Sequence, residues 1–321
     1  MDRQREYGEV LPASSTQRKP PKRTPGSRPS ISCPDPHVPY QRPRRGRVSR
    51  IVLGVAFIVL VLALLALGAI VFSYWQGQQS YDEVAHEVFP TADDAFAREV
   101  DLETVGNSID WAALEAINPD TVGWLYIPGT PVNYPVVQTS NNVTYLSTDF
   151  QGNQGWLAQF GCIFAAAENT PGFADENNVL FGHHMNDGSM FGFIEGLYDP
   201  AKFNATRNIY LLTPDGNYRL QTFSILTCNE NEAIAQTSFA TAAEYTAYVQ
   251  DVANRSEVVP DPAVDLSSVS KTFMFATCDN AVKNLRQVLF AAVVESTAPA
   301  DASIVNDAQT AVDAARELTT S

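Results

Sequence analysis

Histidine is scarce in this chain, and beyond the first fifty residues so is basic charge. Only four His occur in 321 residues: His37, His86 and the adjacent pair His183-His184. That leaves little from which to build a metal centre. His183, His184, Asp187 and Cys278 are the one set to weigh for zinc. Neighbouring residues on a strand point to opposite faces, and Arg286 would repel the ion. No metal and no cofactor is expected. Of the 21 Lys and Arg, 12 lie in residues 1–50, against four acidic residues there. The net charge of -15 therefore divides into +8 for residues 1–50 and -23 for the rest. The acid excess reads as a solvated face that disfavours acidic substrates, and no nucleic-acid partner is expected.

Residues 1–50 also lack hydrophobic periodicity and are broken by Pro20-Pro21, Pro34, Pro36, Pro39 and Pro43. They read as a disordered basic tail, whose charge suits an anionic lipid surface. Ile51 to Phe72 then runs for 22 residues without a charge, and about 20 apolar residues span a bilayer core. Arg42, Arg44, Arg45, Arg47 and Arg50 stand directly before the run, and Tyr74-Trp75 directly after it. Basic residues stay on the cytoplasmic side and aromatics mark the interface. Residues 51–73 are thus expected to be a single-pass signal anchor in the cell membrane. The N-terminus would be cytoplasmic and residues 76–321 extracellular. A cleaved signal peptide is the alternative, but the apolar run and the leader are both too long for one.

Residues 76–105 are acidic, with Val84, Val88, Ala95 and Val100 at helical spacing. They are expected to form a helical stalk or packing elements outside the main fold. Asp110 is placed to cap a helix over Trp111–Ile117 that Asn118-Pro119 stops. After Gly123 the pattern changes to short apolar runs: 124–127, 134–137, 162–164, 179–181, 209–212, 218–226, and a final pair within 272–294. Gly, Pro and Asn separate them. Many short strands with turn signals predict a mainly β domain, barrel or sandwich, of roughly 170 residues. One helix is inserted over 242–253, with Tyr245, Tyr248, Val249 and Val252 on one face. Residues 297–321 are expected to be a mobile tail.

The final pair carries the chemistry. Phe273 and Phe275 alternate with smaller residues up to Thr277-Cys278, residues 279–284 form a polar break, and Leu285 to Val294 resumes at strand length. Two strands joined by a short loop put Cys278 at one strand end and Arg286 roughly opposite. A thiol beside a permanent cation favours thiolate; the plainer reading is a small buried Cys and a rim Arg. The pair His183-His184 likewise follows an apolar strand and Gly182. Cys and His on one barrel rim would make a nucleophile and its proton partner. Arg286 could then hold an oxyanion or orient substrate. Cys162 and Cys228 sit in strand-like runs and read as small buried residues, although an extracellular disulfide between them is open. Cys33 lies in the cytoplasmic tail and needs no role.

Several stretches, in order, resemble the sortases, membrane-bound cysteine transpeptidases of Gram-positive bacteria, and within them class B. They are residues 109–120 (IDWAALEAINPD), 122–130 (VGWLYIPGT) with Tyr134-Pro-Val-Val137, 141–146 (NNVTYL), 181–185 (FGHHM) with Gly188-Ser-Met-Phe191, and Phe275-Ala-Thr-Cys278 followed by Arg286. The resemblance covers about residues 105–295. It implies a closed sortase-type β-barrel with N-terminal helices and an inserted helix, a catalytic domain of residues 106–296 behind the anchor. It matches Cys278 to the family nucleophile, His183 to the His after Gly, and Arg286 to the Arg of the last strand. Phe275 stands where the family usually has Leu, and His184 where it usually has Asn. Position favours His183 over His184. The implied activity is cleavage of a C-terminal sorting signal after Thr through a Cys thioacyl intermediate. The acyl group then passes to an amine of a peptidoglycan precursor or a pilin. The implied partners are surface proteins or pilins bearing that signal. A wall peptidase or amidase that hydrolyses instead, and an inactive surface binding module, are the alternatives. A protein being anchored would end in a sorting motif, an apolar span and a basic tail; Glu317-Leu-Thr-Thr-Ser has none of these, so the anchoring enzyme is expected.

Overall fold

The computed structural model describes residues 46–88, 102–158, 160–229, 232–278 and 285–299. The basic tail and most of residues 297–321 lie outside these, as do residues 89–101. Two compact units divide the chain, residues 1–60 and 61–321. Helix α1 (Arg47–Val88) contains a segment, Ser49–Glu87, that is long and apolar enough to cross a membrane. The large apolar side chains from Ile51 to Phe72 are exposed, as a helix facing lipid requires. This is a candidate membrane span.

Residues 74–85 of α1 carry a different pattern. Tyr74, Gly77, Tyr81, Val84 and Ala85 recur at three- and four-residue steps, which places them on one helix face. Tyr81, Val84 and Ala85 are buried in the main core. Gly77 is small for a reason: a Cβ there would stand 2.5 Å from the Phe160 ring. Of the residues expected as stalk or packing elements, 76–88 thus continue α1 and pack, and 102–105 fall in α2 (Leu102–Gly106). Helix α3 (Trp111–Ile117) follows, with the Asp110 carboxylate accepting from the Ala113 N–H at 3.0 Å. The cap lies where the sequence put it.

Eight strands among the described residues close a barrel: β1 (Thr121–Tyr126), β2 (Asn133–Gln138), β3 (Ile163–Ala165), β4 (Asn177–Phe181), β5 (Asn208–Leu212), β6 (Tyr218–Asn229), β7 (Thr272–Cys278) and β8 (Leu285–Ser296). Their order around the barrel is β1-β2-β3-β4-β7-β8-β6-β5. Closure removes free sheet edges, which decides between barrel and sandwich. Neighbours run antiparallel except β2 with β3 and β4 with β7, which are parallel. The connection from β6 to β7 carries α6 (Ala242–Asn254), the inserted helix. Its Thr241 cap accepts from the Glu244 N–H at 3.2 Å, and the Glu244 carboxylate accepts from the Ala240 N–H at 3.0 Å. Short helices α4 (Phe193–Gly196) and α5 (Pro200–Ala205) join β4 to β5; the sequence reading had no helix there.

Two apolar clusters explain why β7 and β8 read as almost unbroken apolar runs. Phe273, Phe275, Leu289 and Ala291 join the main core with Trp124, Leu180 and Ile225. Met274, Ala276, Val288 and Phe290 join a second cluster with Leu226, Cys228 and the α6 residues Tyr245, Val249 and Val252. A strand covered on both faces loses its polar alternation. Each large side chain so buried contributes about 1.5–3 kcal/mol. Cys162 belongs to the first cluster and Cys228 to the second, and both are free thiols.

Candidate active site

The last residues of β4 and β7 and the first of β8 meet at one end of the barrel. Parallel pairing aligns Phe181 with Ala276, and the Gly182 N–H extends that ladder by donating to the Ala276 carbonyl at 3.2 Å. Antiparallel pairing sets Cys278 directly opposite Arg286. His183 follows Gly182, so the three residues singled out by sequence belong to three adjacent strands at one rim. Adjacent strands lie about 4.8 Å apart.

Arg286 is half-buried, and its guanidinium carbon lies 5.9 Å from the centre of the Phe181 ring. An aromatic face at that distance steadies a cation. On its other side Arg286 pairs in register with Cys228 of β6. Burial pushes the Cys228 thiol up to about 11; Glu232 also raises it, and Arg255 and Arg286 pull it down. Burial likewise pushes Cys162 up to about 12, against a hydrogen bond with Tyr81 that lowers it and with Asp149 raising it further. A thiol with a pKa of 11 is ionised in about one molecule in ten thousand at pH 7. Burial therefore favours the protonated thiol at both positions.

The two histidines part company here. His184 is half-buried with its side chain 5% exposed, and its Nε2 lies 3.1 Å from Glu195 Oε2 of α4. His183 is partly exposed, and its Nε2 lies 2.6 Å from the Leu146 carbonyl oxygen. A carbonyl oxygen only accepts, so the hydrogen sits on Nε2. Among the described residues no hydrogen bond engages Nδ1, the nitrogen that could take and return a proton. Leu146 ends a single 3-10 turn, Thr144–Leu146, started by Asn141, whose Oδ1 accepts from the Val143 and Thr144 N–H groups. Against the same edge of the imidazole lies Gly161, with φ of +54°; a Cβ there would come within 3.1 Å of His183 Cδ2 and would collide with the Tyr145 carbonyl. Only glycine adopts that φ without strain and leaves the imidazole its room.

The loop after His183 is closed on itself. The Phe191 N–H donates to the His183 carbonyl at 2.9 Å, His184 bridges to Met190, and Asp187 Oδ1 accepts from the Ser189 N–H at 3.0 Å. Sequence reasoning had singled out neither Leu146 nor Gly161 for the site. The Asn141–Leu146 motif did carry a local signal, an Asx turn; Gly161 carried none. Among the described residues, no group of three or more His, Cys, Asp or Glu is placed to hold a metal ion.

A family model described as the sortase domain matches residues 125–294. The chain is 26% identical over 228 residues to the sortase B of Listeria monocytogenes, covering 70% of this chain and 91% of that one. Among solved structures, a sortase B–substrate complex from Staphylococcus aureus superposes with a TM-score of 0.59 at 24% identity, over 70% of this chain and 99% of that one. The sortase B of Clostridium perfringens superposes with a TM-score of 0.53 at 27% identity, over 57% and 99%.

Proposed function

Since the chain belongs to the sortase family and stands with its class B members, we propose that it cleaves a C-terminal sorting signal after Thr and transfers the protein to an amine. Sortases are transpeptidases with a Cys nucleophile, and Cys278 is the residue assigned that role here. The observation that carries the assignment is the register of Cys278 opposite Arg286 at the rim that His183 also reaches. The raised pKa values of Cys162 and Cys228 support it by elimination.

The chemistry follows from the groups. Cys278 passes its thiol proton to His183 Nδ1, its Sγ attacks the Thr carbonyl carbon, the C–S bond forms, and the π electrons move to oxygen. Arg286 offers its planar fork of donors to that oxyanion. The oxyanion collapses, the C–N bond breaks, and the leaving amine takes a proton from His183 Nδ1. An acceptor amine then attacks the thioester and gives a proton back to His183, and the C–S bond breaks to restore the thiolate. Lipid-linked peptidoglycan precursors and pilin lysines supply amines of the right kind. Residues 51–73 would anchor the enzyme, with residues 76–321 outside the cell and 106–296 as the catalytic domain.

The test is a fluorogenic peptide assay on the full chain in membranes, over a panel of Asn-Pro-x-Thr and Leu-Pro-x-Thr motifs, with and without an amine. Cys278→Ala should abolish cleavage and transfer, and His183→Ala should be nearly as severe. Cleavage that survives in Cys278→Ala would overturn the assignment. A wild-type enzyme that only hydrolyses, whatever the acceptor, would make it a peptidase.

A further inference from the structure

We propose that the last turns of α1, which continue the candidate span, are a positioning element for His183, acting through Gln78 and Tyr81. The proposal builds on the reading of His183 as the proton carrier. Residues three apart on a helix lie on one face, so Gln78 and Tyr81 reach out from the same side. Each grips one of the two segments that seat the imidazole.

Tyr81 is 3% exposed. Its hydroxyl donates to the Gly161 carbonyl, accepts from the Phe150 N–H at 3.3 Å, and lies 3.4 Å from Cys162 Sγ. Gly161 is the residue packed against the Nε2 edge of His183. The next residue, Cys162, donates its N–H to the Tyr145 carbonyl at 2.9 Å. That bond fixes the turn whose Leu146 carbonyl holds His183 Nε2. The Tyr81 hydroxyl therefore reaches the imidazole by two routes, one hydrogen bond and a packing contact through Gly161, or three hydrogen bonds through Cys162, Tyr145 and Leu146. Gln78 takes the other segment: its Nε2 donates to Asp187 Oδ2 at 3.0 Å, and Asp187 closes the His183 loop through Ser189. The helix itself is held in place by Tyr74 against Phe160 (5.6 Å between ring centres) and Tyr81 against Tyr134 (5.3 Å).

A helix that only tethered the domain would need none of these polar contacts. A buried hydroxyl bonded to three groups, one of them the glycine packed against His183, is costly to leave unsatisfied. Its effect falls on the placement of one ring nitrogen, where a displacement of about 1 Å costs up to about a hundredfold in rate.

The experiment uses the full chain in lipid nanodiscs and compares wild type with Tyr81→Phe, Gln78→Ala and, as a control on the same turns, the exposed Glu83→Gln. Nitrogen-15 spectra of the histidine rings, with His183 assigned by its loss in His183→Gln, report which ring nitrogen carries the proton. Transfer kinetics report kcat and KM. Wild type and Glu83→Gln should show His183 held as the Nε2–H form. Tyr81→Phe should average that signal between tautomers and lower kcat about tenfold with little change in KM. Gln78→Ala, which breaks only an exposed bond and should not disturb folding, should do the same to a smaller degree, about two- to threefold. An unchanged His183 signal in both variants would overturn the proposal. If Tyr81→Phe does not fold, Gln78→Ala alone decides. Should the wild type prove inactive while Tyr81→Phe still alters the ring signal, the sortase assignment fails and the coupling stands.

Discussion

Arg286 faces the ring of Phe181, and its strand lies between the two cysteine-bearing strands, β7 with Cys278 and β6 with Cys228. A guanidinium suits that position, because its flat face stacks while its edge presents several donors in one plane. Arg286→Lys keeps the charge and loses both features. It should lower kcat about a hundredfold, the scale of losing one oxyanion donor, on the order of 3 kcal/mol; activity within threefold of wild type would mean that charge alone suffices. The buried thiols make a separate prediction about pH. A thiol whose pKa is raised by folding stabilises the fold fully below its unfolded value of 9.0 and loses that contribution as pH climbs toward its folded value, about 12 for Cys162. Urea unfolding of the full chain in detergent should therefore show stability falling between pH 9 and 12. Cys162→Ala should be less stable at pH 7 and fall less steeply over that window, the buried tyrosines being common to both proteins. Equal slopes would show that the thiol does not titrate with unfolding.

At the scale of elements, the connection between α6 and β7 is tied down from an unexpected place. Arg207, 7% exposed, donates Nε to the Thr222 carbonyl at 3.0 Å and Nη1 to the Pro262 carbonyl at 2.9 Å. It faces Phe203 at 5.7 Å, and burial lowers its pKa against the field of Asp261. Arg207→Ala would take the guanidinium away from the buried Thr222 carbonyl and release the exposed Pro262 segment, and should cost about 1–3 kcal/mol, read as a lower Tm with kcat per folded molecule unchanged. A parallel loss of kcat would show that this lock also shapes the site. The sequence hid this contact because Arg207 and Pro262 are brought together only by the closed sheet. The same limit applied throughout. The strands, the Asp110 cap and the inserted helix were legible because each rests on neighbours in sequence. So was the opposition of Cys278 and Arg286, since a short loop sets a hairpin register. Strand order, the two parallel pairings and the short helices α4 and α5 rest on distant partners, and no local pattern announces them. His183 was preferred to His184 by position; the difference in their surroundings, the Leu146 carbonyl for one and Glu195 for the other, exists only once the 3-10 turn and α4 are folded. Tyr81 was passed over for the same reason, its partners lying some 70 to 80 residues away in sequence.

For the whole molecule, the distribution of charge sets the prediction. Arg42, Arg44, Arg45, Arg47 and Arg50 precede the apolar run, while the chain beyond it is strongly acidic. Moving that basic block across a bilayer opposes both the membrane potential and the anionic inner leaflet. Leaving it inside satisfies both and would carry the acidic remainder outward. Protease added to intact protoplasts should therefore remove residues 76–321 and spare an epitope tag placed before Met1. Replacing all five of those Arg by Glu should reverse or scramble the pattern in a fraction of molecules, because the bias then no longer holds the N-terminus in the cytoplasm. A tag digested in the unaltered protein would invert the orientation. It would also count against the proposed transfer reaction, since the rim formed by β4, β7 and β8 would then lie on the cytoplasmic side.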